Sequence, residues 1–348
     1  KDGEGQVVLL SGEPGIGKSR VTQVLRERLE GEPHVRLRYQ CSPFYTNSAF
    51  YLIIGQLERA AGFARDDTAE TKLDKLETLL AQGTEDVAKV APLLASLLSL
   101  PVDRYPPLNL SPQRQKDDTV AALAAQVTGL AEHQPLLMLV EDAHGCDPTT
   151  LETLTAVIGA IEAARVLLVI TYRPEFDPPW TGYGHVVAQS LSRLGKRQGA
   201  DMVAKITGGK ALPNEVLDQI VAKTDGIPLF VEELTKTVLE AGFLKDSGDR
   251  YELDGPLPPL AIPSTLQDSL MARLDRLSPV KEVAQIAACI GREFSHELIA
   301  AVSPLRDNEL EDALQQLVNS ELIFRRGTPP DATYTFKHAL VQESAYNS

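Results

Sequence analysis

The chain has 348 residues, room for two or three domains at about 150 residues each. Hydrophobic residues make up 43% and charged residues 24%, an ordinary globular balance that excludes disorder as the default. With 34 Lys and Arg against 48 Asp and Glu, the net charge of −14 argues against a general binder of nucleic acid or anionic membrane.

Read in chain order, residues 1–178 alternate short apolar runs with longer amphipathic stretches. Val7–Leu10, Leu136–Val140 and Val166–Ile170 are continuous apolar runs, the signature of strands buried on both faces of a parallel sheet. Helical patterns over Val120–Ala131 and Leu151–Ala164 lie between them, so the expected class is an α/β doubly wound layer. A proline-rich break, Pro174–Trp180, precedes a short strand at Val186–Ala188. From about 195 the reading is helical: Val216, Leu217, Ile220 and Val221 share one face, as do Phe230, Leu234 and Val238. Tyr251–Leu253 and a proline cluster at Pro256, Pro258, Pro259 and Pro263 close this stretch. From 263 to 348 the order reads helix, helix, helix, hairpin, with turn chemistry at Gly327–Asp331 between the hairpin strands. That order suggests a winged helix. The expected domains are 1–178, an α/β domain; 179–262, a helical domain; and 263–348, a winged-helix domain.

No apolar run approaches the roughly 18–20 residues that span a bilayer, and the opening residues lack a signal-peptide pattern. Cys41, Cys146 and Cys289 are far apart and odd in number, which predicts neither a disulfide framework nor a zinc site and favours a reducing, cytoplasmic setting. Cys41 and Cys289 read as small core residues. His34, His133, His185 and His296 are isolated and read as structural or exposed. Trp180 reads as a pin between domains. The strand-like run so soon after Lys1, and a helix just beginning at His338, read as a module taken from something longer.

Gly12–Ser19, Gly-Glu-Pro-Gly-Ile-Gly-Lys-Ser, matches the pattern G-x-x-x-x-G-K-[ST] between an apolar strand and a helical stretch. Gly12, Gly15 and Gly17 let backbone N–H groups turn inward around phosphate oxygens, and the following helix presents its positive end to the same anion. Lys18 is expected to reach the β- and γ-phosphates, and Ser19 to offer its hydroxyl to Mg²⁺. Glu13, Pro14, Ile16 and Arg20 complete the nucleotide-binding stretch. Leu136–Val140 runs into Glu141-Asp142, the acidic strand end that such a loop requires. Glu141 is assigned to magnesium and Asp142 to the attacking water. Successive strand residues face opposite ways, so both can serve only if the strand ends here and the chain turns. Arg173, after the strand Val166–Tyr172, is expected at the carboxyl edge of the sheet, placed to sense a γ-phosphate.

Together with Gly226-Ile-Pro-Leu229, Phe336-Lys-His338, Cys41–Ala49 and Leu108–Lys116, these motifs resemble the STAND class of signal-transduction P-loop ATPases. The chain looks like the ATPase module behind class III adenylate/guanylate cyclase domains in bacteria. The resemblance runs over essentially the whole chain. It implies an ATP/ADP switch with slow Mg²⁺-dependent hydrolysis, closed with ADP and opened by ATP. It also implies flanking cyclase and tetratricopeptide-repeat domains and an ATP-dependent homo-oligomer. Pro228 matches the family proline near the base, although a proline there also starts a helix. His338 matches the histidine that contacts the ADP β-phosphate. The chain departs from the family in carrying Gly145 where a tryptophan usually follows Ala-His, and it starts after a segment that helps hold adenine. Other readings remain: a non-hydrolytic scaffold glued by ADP, or a DNA-binding regulator. The second is ranked last, because 263–348 carries 8 Lys and Arg against 12 Asp and Glu. A kinase is a further P-loop reading, but no lid or acceptor site is visible.

Overall fold

A computed structural model describes residues 3–41, 45–255, 265–277 and 280–348. The proline cluster Pro256–Pro263 lies outside the described residues. The chain divides into two compact units: 1–13 with 18–191, and 14–17 with 192–348.

The first unit is built on a five-stranded sheet in the order β2-β3-β4-β1-β5. Its strands are β1 (Gln6–Ser11), β2 (Val35–Gln40), β3 (Leu136–Glu141), β4 (Val166–Tyr172) and β5 (Val186–Ser190). Every pairing is parallel. The apolar runs fill it as their patterning requires: β3 is buried at all six positions. Met138 and Val140 pack into a core with residues of α5 (Pro112–His133) and α6 (Pro148–Ala160). Leu137 and Leu139 join Leu25 and Leu29 of α1 (Lys18–Leu29) on the opposite face. The helices α2 (Tyr51–Ala61), α3 (Ala69–Leu80) and α4 (Val87–Leu97) lie between β2 and α5 and gather around Leu76, Leu80 and Leu94.

Two readings change here. Cys41 and Cys146 are joined by a disulfide across 105 residues, with Cα atoms 5.2 Å apart. Separation in sequence says nothing about separation in space when adjacent parallel strands bring their carboxyl ends together. Cys41 and Cys146 therefore do not stand apart as their spacing in the sequence suggests. Cys289 is exposed and not a core residue. Among the described residues no helix is long and apolar enough to cross a membrane.

Trp180 is 0% exposed within the core of the first unit, and its indole N–H donates to Thr155 Oγ1 at 2.8 Å. It is a core residue of this unit and not a linker anchor.

In the second unit, α7 (Lys196–Ile206), α8 (Asn214–Thr224) and α9 (Pro228–Glu240) enclose Val216, Ile220, Val231, Leu234 and Val238. Gly226 fixes the entry to α9. It has φ +72°, and an added Cβ would fall 2.2 Å from the Leu194 carbonyl oxygen. A small antiparallel pair follows, β6 (Leu244–Asp246) with β7 (Tyr251–Leu253). Then come α10 (Leu266–Arg276), α11 (Val280–Ile290), β8 (Glu293–Ser295), α12 (His296–Val302), α13 (Asp307–Asn319), β9 (Ile323–Arg326), β10 (Thr333–Phe336) and α14 (Ala339–Tyr346). The expected hairpin is present as β9 and β10, and β8 pairs with β10 to make a three-stranded sheet, β8-β10-β9. The short α12 and β8 add to the predicted order of three helices and a hairpin.

Buried ions tie these parts of the second unit together. Glu233 on α9 and Arg273 on α10, 1% and 4% exposed, form a pair, and Arg273 also donates to the Ser320 carbonyl at 2.6 Å. Burial pushes the Glu233 carboxyl up, and the adjacent guanidinium opposes this.

Trp180→Ala is expected to cost about 3–5 kcal/mol, because it deletes the largest fully buried side chain and leaves a cavity. Urea unfolding followed by circular dichroism measures this; a loss below about 1 kcal/mol would show that the site collapses around the gap.

Candidate nucleotide site

The loop from β1 to α1 has the conformation its glycines allow: Gly15 at φ +77° and Gly17 at φ +110°. α1 starts at Lys18, so its unpaired backbone N–H groups begin where the loop ends. Lys18 is 7% exposed; its ammonium donates to the Gly12 carbonyl at 2.6 Å and the Glu13 carbonyl at 3.2 Å. Burial pulls this ammonium below its ordinary range, with Arg173 acting in the same direction and Asp142 and Glu175 opposing. Lys18, Asp142, Arg173 and Glu175 thus share one electrostatic neighbourhood at the carboxyl end of the sheet. Ile16 is buried, Ser19 is exposed in the first turn of α1, and Arg20 lies on the exposed side, 3.4 Å from Glu27.

The acidic pair divides as strand geometry requires. β3 ends at Glu141, and Asp142 takes the left-handed conformation, φ +60°. A 3-10 turn, Ala143–Gly145, follows, with the Gly145 N–H on the Asp142 carbonyl at 2.8 Å. The Asp142 N–H donates to Thr171 Oγ1 at 3.0 Å, so the end of β4 holds the backbone of Asp142 in this turn. Glu141, in phase with Leu137 and Leu139, faces α1: its Oε1 accepts from Thr22 Oγ1 at 3.2 Å, and its Oε2 from Arg38 Nε at 2.6 Å. Asp147, beyond the turn, is the N-cap of α6, accepting from the Thr150 N–H at 3.0 Å.

Three residues at this end of the sheet were not singled out from the sequence as site residues: Thr171, Arg38 and His144. Burial lowers the His144 pKa, with Asp142 opposing and Arg173 and Lys18 reinforcing it, so its ring stands among the site charges. Its position, two residues past Asp142 on the same turn, is the signal in the sequence that would have found it.

Pro228 and His338 belong to the second unit. Pro228 is the first residue of α9, and the N–H of the next residue, Leu229, donates at 3.1 Å to the carbonyl of Gly15, which groups with the same unit. His338 precedes α14. Its Nε2 is buried without a hydrogen-bond partner, and burial pushes its pKa down to about 4, with Lys337, Arg292 and Lys236 adding and Glu232 opposing. Lys337 itself is held by Glu232 at 2.6 Å and Glu321 at 3.2 Å. His185 and His296 are buried and His133 is exposed.

The donors fit a magnesium nucleotide. Ser19 and Glu141 offer hydroxyl and carboxylate oxygen, which Mg²⁺ prefers. Among the described residues no group of three or more His, Cys, Asp or Glu gathers to hold a metal, so phosphate oxygens and water would have to complete the shell.

Residues 1–170 match the AAA ATPase domain family. With the parallel sheet and the loop geometry, this region has the fold of an α/β P-loop NTPase and is similar to AAA ATPase domains. An uncharacterized protein of Rhizobium meliloti (strain 1021) is 27% identical over 99% of this chain, which spans 33% of that protein's length. The fold of a STAND (Signal Transduction ATPase with Numerous Domains) protein with a tetratricopeptide repeat sensor from Pyrococcus horikoshii is also similar. Its TM-score is 0.52 at 12% identity, over 98% of this chain and 40% of that one. The chain therefore spans a third to two-fifths of these longer relatives.

Lys18→Ala is expected to lower ATP and ADP affinity at least a hundredfold, the scale of losing a charge-assisted contact of about 3 kcal/mol. Calorimetric titration checks this; unchanged affinity for both nucleotides would overturn the site.

His338 supplies a pH test. Its folded pKa lies below the ordinary 6.5, so the unfolded chain binds the proton first. The stability this contributes is complete above about pH 6.5 and is lost as pH falls toward 4. Glu232, held at about 2 below a usual 4.5, loses its contribution only at lower pH. The urea midpoint of the wild type should therefore fall between pH 7 and pH 5 by more than that of His338→Gln, on the order of what a buried, shifted histidine contributes. Equal falls would show that His338 titrates normally.

Proposed function

We propose that this chain is a Mg²⁺-dependent ATPase whose turnover resets a signalling switch. The observation that carries the reading is the meeting of the complete phosphate loop with Asp142 and Arg173 at one end of the sheet, close enough for both to bear on the Lys18 charge. The loop N–H groups and Lys18 bind the phosphates, Ser19 and Glu141 are the metal-side ligands, and Asp142 orients and deprotonates the attacking water. Thr171 fixes the backbone from which Asp142 acts. Arg173 senses the γ-phosphate. When bound, Mg²⁺ supplies neutralisation of the charge on the transferred phosphoryl group.

The finer reading follows the resemblance in sequence. The residues after β5, expected to begin a helical domain at 179 but starting at 192 because Trp180 and β5 belong to the first unit, act as the helical domain up to 262, 263–348 as the winged helix, and the whole as a STAND-type regulatory module within a longer chain carrying cyclase and repeat domains. The greater length of the relatives supports this. Pro228 serves the base and His338 the ADP β-phosphate. A neutral imidazole with an uncommitted Nε2 suits that contact, since it gives or takes one hydrogen bond without a charge. ATP-bound chains associate with one another in this reading, and DNA is not the partner.

Asp142→Asn tests the chemistry. The amide keeps the shape but cannot take a proton, so kcat should fall about 10²–10⁴-fold with ATP affinity within a few-fold of wild type. Single-turnover hydrolysis of labelled ATP measures this. A wild-type rate in the variant would move the water to another residue, and a wild type without turnover would favour an ADP-bound scaffold.

A further inference from the structure

β2 is an edge strand of the sheet, and its arginines fall on the side where α1 packs. In the β2–β3 register Arg38 lies across from Leu139 and Gln40 across from Glu141, so Arg38 and Glu141 are diagonal neighbours on one face. The Arg38 guanidinium closes on a single oxygen: Nε and Nη2 each lie 2.6 Å from Glu141 Oε2. Thr22 Oγ1 lies 3.2 Å from the other oxygen and 3.0 Å from the Ser19 carbonyl, its single proton shared between these two acceptors, so the carboxylate sits against the first turn of α1. Glu141 is 5% exposed and has little water to screen it. Arg26 and Arg36 stand close by: the Arg26 guanidinium is held below its ordinary range first by burial and then by Arg38 and Arg36, with Glu141 and Glu27 opposing. The metal-side carboxylate is thus embedded in a positive cluster.

We infer that Arg38 tunes the affinity of the site for its divalent cation by offsetting the charge of the Glu141 carboxylate with which it pairs. The inference rests on the nucleotide-site reading above. A cation drawn to Glu141, directly or through water, shares the carboxylate with a guanidinium cation. Repulsion between the two cations weakens metal binding. The ion is then retained mainly when nucleotide phosphates supply the rest of its ligands, which couples metal occupancy to nucleotide occupancy.

The test measures Mn²⁺ binding to the ADP-loaded full chain by electron paramagnetic resonance, beside ADP affinity in excess chelator. Arg38→Gln should tighten Mn²⁺ about three- to tenfold, as expected for removing one nearby like charge. Metal-free ADP affinity should not move, and Arg38→Lys should stay near wild type. Arg38 is 44% exposed, so its replacement is compatible with folding, and Glu141→Gln alone gives an independent arm with weaker Mn²⁺. Unchanged or weaker Mn²⁺ binding in Arg38→Gln, with the wild type binding Mn²⁺ and ADP, would overturn the inference alone. A wild type that binds no ADP would overturn the nucleotide-site reading and the inference with it.

Discussion

β3 is buried along its whole length, and a strand turns successive side chains to opposite faces. An acidic pair at its end would therefore be split across the sheet, with one carboxylate under α1 and the other lost beneath α5 and α6. The chain avoids this by ending the strand at Glu141 and giving Asp142 a left-handed conformation, with its N–H on Thr171. A non-glycine residue in that region costs on the order of 1 kcal/mol and persists only where its surroundings hold it. Here β4 and the 3-10 turn after Asp142 do so. The charge balance at Lys18, Asp142, His144 and Arg173 all follows from that one change of direction.

The second unit is organised by ions instead. Glu233 and Arg273 are both buried, and removing either partner would leave an uncompensated charge. Nearby, Lys236 and Lys337 both reach Glu232 and Glu321; burial pushes Glu232 up and Lys236 down, and the paired charges together outweigh it, holding Glu232 at about 2 and raising Lys236. These contacts join α9 to the turn after α13 and to the end of β10, next to His338. Such pairs specify geometry more than they add stability, since desolvation takes back much of the Coulomb gain.

Legibility in the sequence followed the strength of local signals. β1, β3 and β4 are continuous apolar runs and could be placed within a residue or two. β2 was missed because Val-Arg-Leu-Arg-Tyr-Gln alternates, as an edge strand does, and its arginines masked it. The helices α2–α4 carry no site motif and passed without a reading. The phosphate loop was complete because its chemistry lies within eight consecutive residues.

The sequence by itself determined the loop, the buried strands and the acidic strand end, because each depends on residues adjacent along the chain. It also carried helical patterning from about 195 to 255 and three helices with a hairpin over 263–348. Only the tertiary structure decided which distant residues meet: Cys41 with Cys146, Trp180 with Thr155, Thr171 with Asp142 and Arg38 with Glu141. The physical reason is the parallel sheet. Its order β2-β3-β4-β1-β5 brings strand ends from across the chain to one edge, and periodicity along a sequence holds no record of which strands will be neighbours.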